Sequence, residues 1–154
     1  MRMKNNEGRV EFLFDLEVNE DWPPVAKECL ILSRTIDGYR VEVSPFFLGG
    51  ISVGDVLEID DDGLGNALSW THVKKSERST VWVMFLGEHS YADEMSCLQE
   101  LGCNVEELKR FRYISIDVPD ASLLDKVDAC FTHLNESQVG VAYPSLREEE
   151  QNSG

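Results

Sequence analysis

Three histidines and four cysteines are the side chains with which this chain could attack a substrate or hold a metal: His72, His89 and His133, and Cys29, Cys97, Cys103 and Cys130. A hydrolytic triad needs a nucleophile held against a base. No Gly-x-Ser-x-Gly elbow and no thiol-catalysis signature accompanies any of these residues. His89, in the loop Gly87-Glu88-His89-Ser90 behind an apolar run, is the best placed of the three for chemistry. The cysteines lack the close pairs of a zinc knuckle, and a chain of 154 residues does not need disulfide staples. They read as reduced thiols that serve as small apolar residues.

The carboxylates offer three further candidates. Asp60-Asp61-Asp62-Gly63 could attract a divalent cation, but successive strand carboxylates point to opposite faces and the alternating calcium-loop pattern is absent, so a solvated hairpin tip is expected. Glu106-Glu107 and Asp117 match no acid/base dyad. Gly49, Gly50 and Gly54 follow neither the phosphate-loop nor the dinucleotide pattern and read as turn formers. No catalytic residue, metal site or cofactor is expected, and the chain reads as a non-enzyme.

These candidates must be positioned by elements that the hydrophobic pattern reveals. Val10, Phe12, Phe14 and Leu16 alternate with Glu11, Leu13, Asp15 and Glu17 in a first strand, broken by Trp22-Pro23-Pro24. Cys29 to Leu32, Tyr39 to Val43, Val56 to Asp60 and Leu68 to Val73 give four more strands, with a turn at Asp37-Gly38 and a glycine-rich hub at Pro45 to Asp60 that takes in the third of these. Five short strands with glycine turns predict a small barrel-like half over residues 9–75.

After the polar boundary Lys74 to Arg78 the pattern changes. Thr80 to Leu86 reads as a strand, and a helix capped by Ser90 and Gly102 carries Met95, Leu98 and Leu101. A strand over residues 111–118 follows, then a helix over 121–136 with Leu124, Val127, Phe131 and Leu134 on one face, and a last strand over 139–144. The fold class is therefore α+β. Its second half, residues 79–144, is a β-α-β-α-β unit, ferredoxin-like or a related sandwich, and 1–8 and 147–154 are expected to be flexible termini.

Charge narrows the function. The chain has 14 Lys and Arg against 29 Asp and Glu, a net charge of −15. Residues 1–75 hold 8 basic and 14 acidic residues, net −6, and residues 76–154 hold 6 and 15, net −9, so the bias is not confined to a tail. Such a surface repels nucleic acid, which needs clustered cations. No apolar run reaches the roughly 20 residues of a membrane span, and no signal-peptide apolar region opens the sequence, which points to the cytoplasm.

Three pieces in order resemble a known family: Asp21-Trp22-Pro23-Pro24-Val25 with Glu28, then Pro45-Phe46-Phe47 with Gly50-Ile51-Ser52-Val53-Gly54-Asp55-Val56, then Ser79-Thr80-Val81. Together, across about residues 9 to 144, the chain resembles the bacterial family called domain of unknown function 4265. The resemblance implies a small bacterial cytosolic protein and no particular activity. Its matching residues look like turn and core positions.

The residues themselves favour an acidic binding protein, with an immunity protein that neutralises a basic, nuclease-like toxin as the leading expectation. Its contacts would be Asp60, Asp61, Asp62, Glu106, Glu107, Asp125 and Asp128. The alternative is a ligand-sensing or regulatory module that binds a small molecule between the two halves, with Trp22, Phe46, Phe47 and Trp70 as pocket aromatics.

Overall fold

The computed structural model describes residues 8–147, which fall into two compact units divided between Ser76 and Glu77. The expected flexible termini lie outside the described residues except for Gly8 and Arg147, and both of these are held. The Gly8 carbonyl accepts from the Arg34 N–H at 2.7 Å, and the Arg147 N–H donates to Ser79 Oγ at 2.8 Å.

In the first unit, strands β1 (Arg9–Asp15), β2 (Lys27–Arg34), β3 (Tyr39–Val41), β4 (Val56–Asp61) and β5 (Asn66–Lys74) form a closed barrel in chain order. Each neighbour in chain order pairs antiparallel, so with an odd number of strands the closing pair, β1 with β5, must be parallel. The period-two pattern sends Phe12, Phe14, Leu30, Leu32, Val41 and Leu57 inward, where they pack with Ile51 and Ala67. At Gly38 an added Cβ would lie 2.4 Å from the Leu57 carbonyl oxygen, so the β2–β3 turn passes too close to β4 for any other residue.

Between β3 and β4 the chain runs through residues 42–55 without strand pairing, and its backbone N–H groups need other acceptors. Two buried carboxylates provide them. Glu28, projecting from β2, accepts from the N–H groups of Phe46 at 2.6 Å, Phe47 at 2.9 Å and Leu48 at 2.9 Å. Asp55 accepts from the N–H groups of Ser52 at 3.0 Å and Ser76 at 2.8 Å, and meets His72 Nε2 at 2.7 Å. Gly54, at φ +89°, makes the tight turn that lets its N–H reach the Val41 carbonyl at 2.9 Å.

The second unit holds β6 (Ser79–Phe85), α1 (Ala92–Glu100), β7 (Asn104–Leu108), β8 (Tyr113–Val118), α2 (Leu124–Ala129) and β9 (Val139–Ser145), with sheet order β7-β8-β6-β9. The expected β-α-β-α-β order is thus corrected to β-α-β-β-α-β. The extra strand β7, Asn-Val-Glu-Glu-Leu, is polar and sits at the sheet edge, where alternation is weak. Val81, Val83 and Phe85 of β6 and Ile114, Ile116 and Val118 of β8 bury one face of the sheet in a cluster shared with Leu98 of α1 and Val127 of α2.

The helices also depart from expectation at their ends. Helix α1 starts at Ala92, with Tyr91 at the cap position and no side-chain cap, although Ser90 Oγ still accepts from the Ala92 N–H at 3.2 Å. The second helix is short. A 3₁₀ turn over Ala121–Leu123, its first N–H groups served by Asp120, precedes α2, and bonds from Cys130 to Val127 and from Phe131 to Asp128 continue it as tight turns.

The expectation of four reduced thiols is wrong for two of them. Cys97 of α1 and Cys130, just past α2, form a disulfide with Cα atoms 5.9 Å apart, while exposed Cys29 and buried Cys103 are free. Their separation of 33 residues hides the pairing, because only the side-by-side packing of the two helices brings them together.

Burial raises the Glu28 pKa, and the three N–H donors oppose that rise. A raised carboxyl contributes stability that is full below its unfolded pKa and declines as pH rises through the folded one. Loss of the acceptors outweighs this effect. Glu28→Ala strands three backbone donors and is expected to lower the unfolding free energy at pH 7 by about 3 kcal/mol or more, measured by urea denaturation.

Candidate functional site

The β4–β5 hairpin gathers acidic side chains on an exposed projection. Glu58 and Asp60 are two residues apart on β4 and so share a face, and they stand opposite Thr71 and Ser69 of β5. Together with Ile59 and Trp70, whose side chains pack against the barrel core, these residues line a depression of about 360 Å³. Asp60, a predicted partner contact, and Trp70, a predicted pocket aromatic, both border this depression, but their side chains point to opposite faces of the hairpin. Glu58 escaped sequence reading, although its spacing from Asp60 on a strand was available to find it.

The hairpin tip is built by its own acidic residues. Asp62 Oδ1 accepts from the N–H groups of Leu64 at 2.7 Å and Asn66 at 3.1 Å, and Oδ2 accepts from Asn66 Nδ2 at 2.8 Å. Asp61 Oδ2 accepts from the Gly63 N–H at 3.2 Å. The bond from the Asn66 side chain, followed by those from the backbone N–H groups, holds the Asp62 carboxyl below its ordinary pKa. Asp62 thus keeps its charge to lower pH than an ordinary aspartate.

The other predicted contacts lie in the second unit. Glu106 and Glu107 are successive residues of β7 and face opposite sides; Glu106 is exposed, while Glu107 accepts from the Tyr91 hydroxyl at 2.6 Å. Burial first, then Glu107, pushes the Tyr91 pKa up to about 12. Asp125 and Asp128 are exposed on α2, and Asp128 accepts from the Tyr143 hydroxyl at 2.9 Å.

Of the aromatic candidates, Trp22 packs edge-on against Phe47 at 5.5 Å, and Phe47 adjoins Phe46 at 6.3 Å. Trp22 precedes a cis peptide bond to Pro23 and is 40% exposed. Trp70 meets His72 edge-on at 5.3 Å.

Each histidine has a distinct setting. His72 closes the Asp55 network described above. The His89 ring lies edge-on to Phe85 at 6.2 Å, its carbonyl accepts from Arg112 Nη2, and its Nε2 is buried without a hydrogen-bond partner. His133 Nε2 lies 2.5 Å from Oε2 of buried Glu94.

Two further carboxylates are buried: Asp117, which matched no dyad in the sequence, and Glu94, which the sequence did not single out. Asp117 takes a bidentate Arg78 guanidinium at 2.9 and 2.8 Å and the Asn104 amide at 3.1 Å, which ties β6, β7 and β8 together. Glu28, Asp55 and Asp117 are each engaged through both oxygens. Glu94 differs: its Oε1 is buried with no hydrogen-bond partner. Among the described residues, no three His, Cys, Asp or Glu side chains form a metal-holding group, and no helix is long and apolar enough to cross a membrane.

Comparison with known proteins bears on the fold. A family model described as "Domain of unknown function (DUF4265)" matches residues 33–142, which takes in the hub and Ser79-Thr80-Val81 but not Asp21 to Glu28. No curated protein matches the chain. A solved structure titled "Novel crystal structure of a hypothetical protein from Neisseria gonorrhoeae" is similar at a TM-score of 0.73 and 14% identity, covering 90% of this chain and 95% of that one. At that identity the likeness is one of fold.

Removing the amide that holds the tip tests its electrostatics. Asn66→Ala is expected to raise the Asp62 pKa toward the ordinary aspartate value, measured by NMR titration of the side-chain carboxyl. Because the folded pKa is the lowered one, the tip's bonds are stabilising above the unfolded pKa and are lost as pH falls through the folded value.

Proposed function

The chain belongs to the domain of unknown function 4265 family, whose name carries no activity, and from its residues we propose that it is a non-enzymatic binding protein that covers a basic site on a protein partner. The carrying observation is the β4–β5 hairpin, where Glu58 and Asp60 flank a depression with hydroxyls of Ser69 and Thr71 beside them. A lysine or arginine side chain fits this chemistry: two carboxylates supply charge and the hydroxyls complete its hydrogen bonds. Asp61 and Asp62 extend the negative surface to the tip.

An immunity protein that neutralises a basic, nuclease-like toxin is the partner class that best suits this arrangement and the net charge of −15. Such a protein acts in the cytoplasm, where its toxin would arrive. The strand order β7-β8-β6-β9 and the β-α-β-β-α-β succession support a ferredoxin-like reading of the second unit, which supplies exposed Glu106, Asp125 and Asp128 as further acidic contacts.

The test is capture of the tagged chain's partner from its native cytosol at low and high salt, with the retained protein identified by mass spectrometry. The expected partner is one basic protein whose expression arrests growth and whose arrest is relieved by this chain. Its association rate should fall as salt rises, and Glu58→Lys with Asp60→Lys should weaken binding at least tenfold. Unchanged affinity after charge reversal at the hairpin, β7 and α2 together would overturn the proposal.

A further inference from the structure

Glu94 and His133 occupy one rung of a ladder whose next rung is the Cys97–Cys130 disulfide. Glu94 and Cys97 are three residues apart on α1, so they share a face one turn apart. Cys130 and His133 are also three residues apart, in the turns past α2. The sequence Glu94-x-x-Cys97 thus lies against Cys130-x-x-His133, with 94 joined to 133 through 2.5 Å and 97 joined to 130 covalently. A buried carboxylate oxygen, Glu94 Oε1, is left there without a partner.

From this geometry we propose that Glu94, Cys97, Cys130 and His133 form a redox-gated site for a zinc ion. While the disulfide stands, its sulfurs are not thiolate donors and only Glu94 and His133 remain as ligands. A dithiol opens the site: the S–S bond breaks, two thiols form on the protein, and the dithiol is oxidised to its own disulfide. Zinc then displaces the two thiol protons to solvent and takes two thiolates, one imidazole nitrogen and one carboxylate oxygen, a donor set that suits a tetrahedral soft-to-borderline cation.

Ligands about 2.0 Å from zinc at a tetrahedral angle lie roughly 3.3 Å apart, so the His133–Glu94 pair must open by under about 1 Å, and the two sulfurs must separate once their bond is broken. Cys130 and Glu94 are buried, whereas the His133 side chain is 59% exposed and gives the ion a way in. This site is independent of the acidic hairpin, and its failure leaves the partner-binding proposal untouched.

The experiment uses the full chain with Cys29→Ser and Cys103→Ser, so that the helix cysteines are the only thiols. One sample is left oxidised and another is reduced with a water-soluble phosphine, which does not hold zinc as a dithiol does. Native mass spectrometry after zinc addition should find one zinc on each reduced chain and none on the oxidised chain. Cobalt in place of zinc should give a thiolate-to-metal charge-transfer band. His133→Asn and Glu94→Gln, which leave both cysteines in place, should each weaken zinc binding at least tenfold. A reduced chain that is folded by circular dichroism yet holds no zinc overturns the proposal, as does equal zinc on the oxidised chain or on the His133→Asn variant.

Discussion

The first unit depends on placing negative charge where water cannot reach it. The hub loop between β3 and β4 has no strand neighbour to satisfy its amides, and burying it would be prohibitive if those donors were left open. Glu28 answers three of them from a neighbouring strand, and Asp55 answers a fourth, from Ser52, while also holding the Ser76 amide and His72. With the loop held, Ile51 can enter the barrel core and β4 can start in register beside β3. The charge is tolerated because each carboxylate is met by several donors, so that burial is repaid in hydrogen bonds.

The second unit solves a similar problem with a paired charge. Asp117 lies within β8, and Arg78, just before β6, reaches it with a two-pronged contact while Asn104 closes from β7. Helices that are individually too short for stability are held by a shared apolar cluster and a covalent link. The single buried carboxylate that does not fit this pattern, Glu94, stands beside that link.

Much of the architecture was legible because burial imposes a period. Phe12 and Phe14 alternate with exposed neighbours, and so announce a barrel strand; the glycines and prolines around the hub mark where the chain must turn. What stayed hidden depends on distance in sequence. Nothing local to Glu28 reveals that its acceptors are claimed some 18 to 20 residues later, and Cys97 meets Cys130 only after two helices pack. Strand β7 was missed because two consecutive glutamates at a sheet edge obscure alternation. The acidic hairpin was half legible: the tip was read as exposed and charged, but the depression exists only once β4 and β5 pair Glu58 with Thr71 and Asp60 with Ser69.

The two units end their sheets differently. The barrel closes on itself and presents no unpaired edge, whereas the four-stranded sheet stops at β7 on one side and β9 on the other. An open edge is a template on which a second chain can add strands and begin to aggregate. Here β7 carries Glu106 and Glu107, and β9 carries Pro144, which has no N–H to offer. Some of the chain's acidity therefore guards against stacking of its own copies, a duty that would persist if no partner ever touched that sheet.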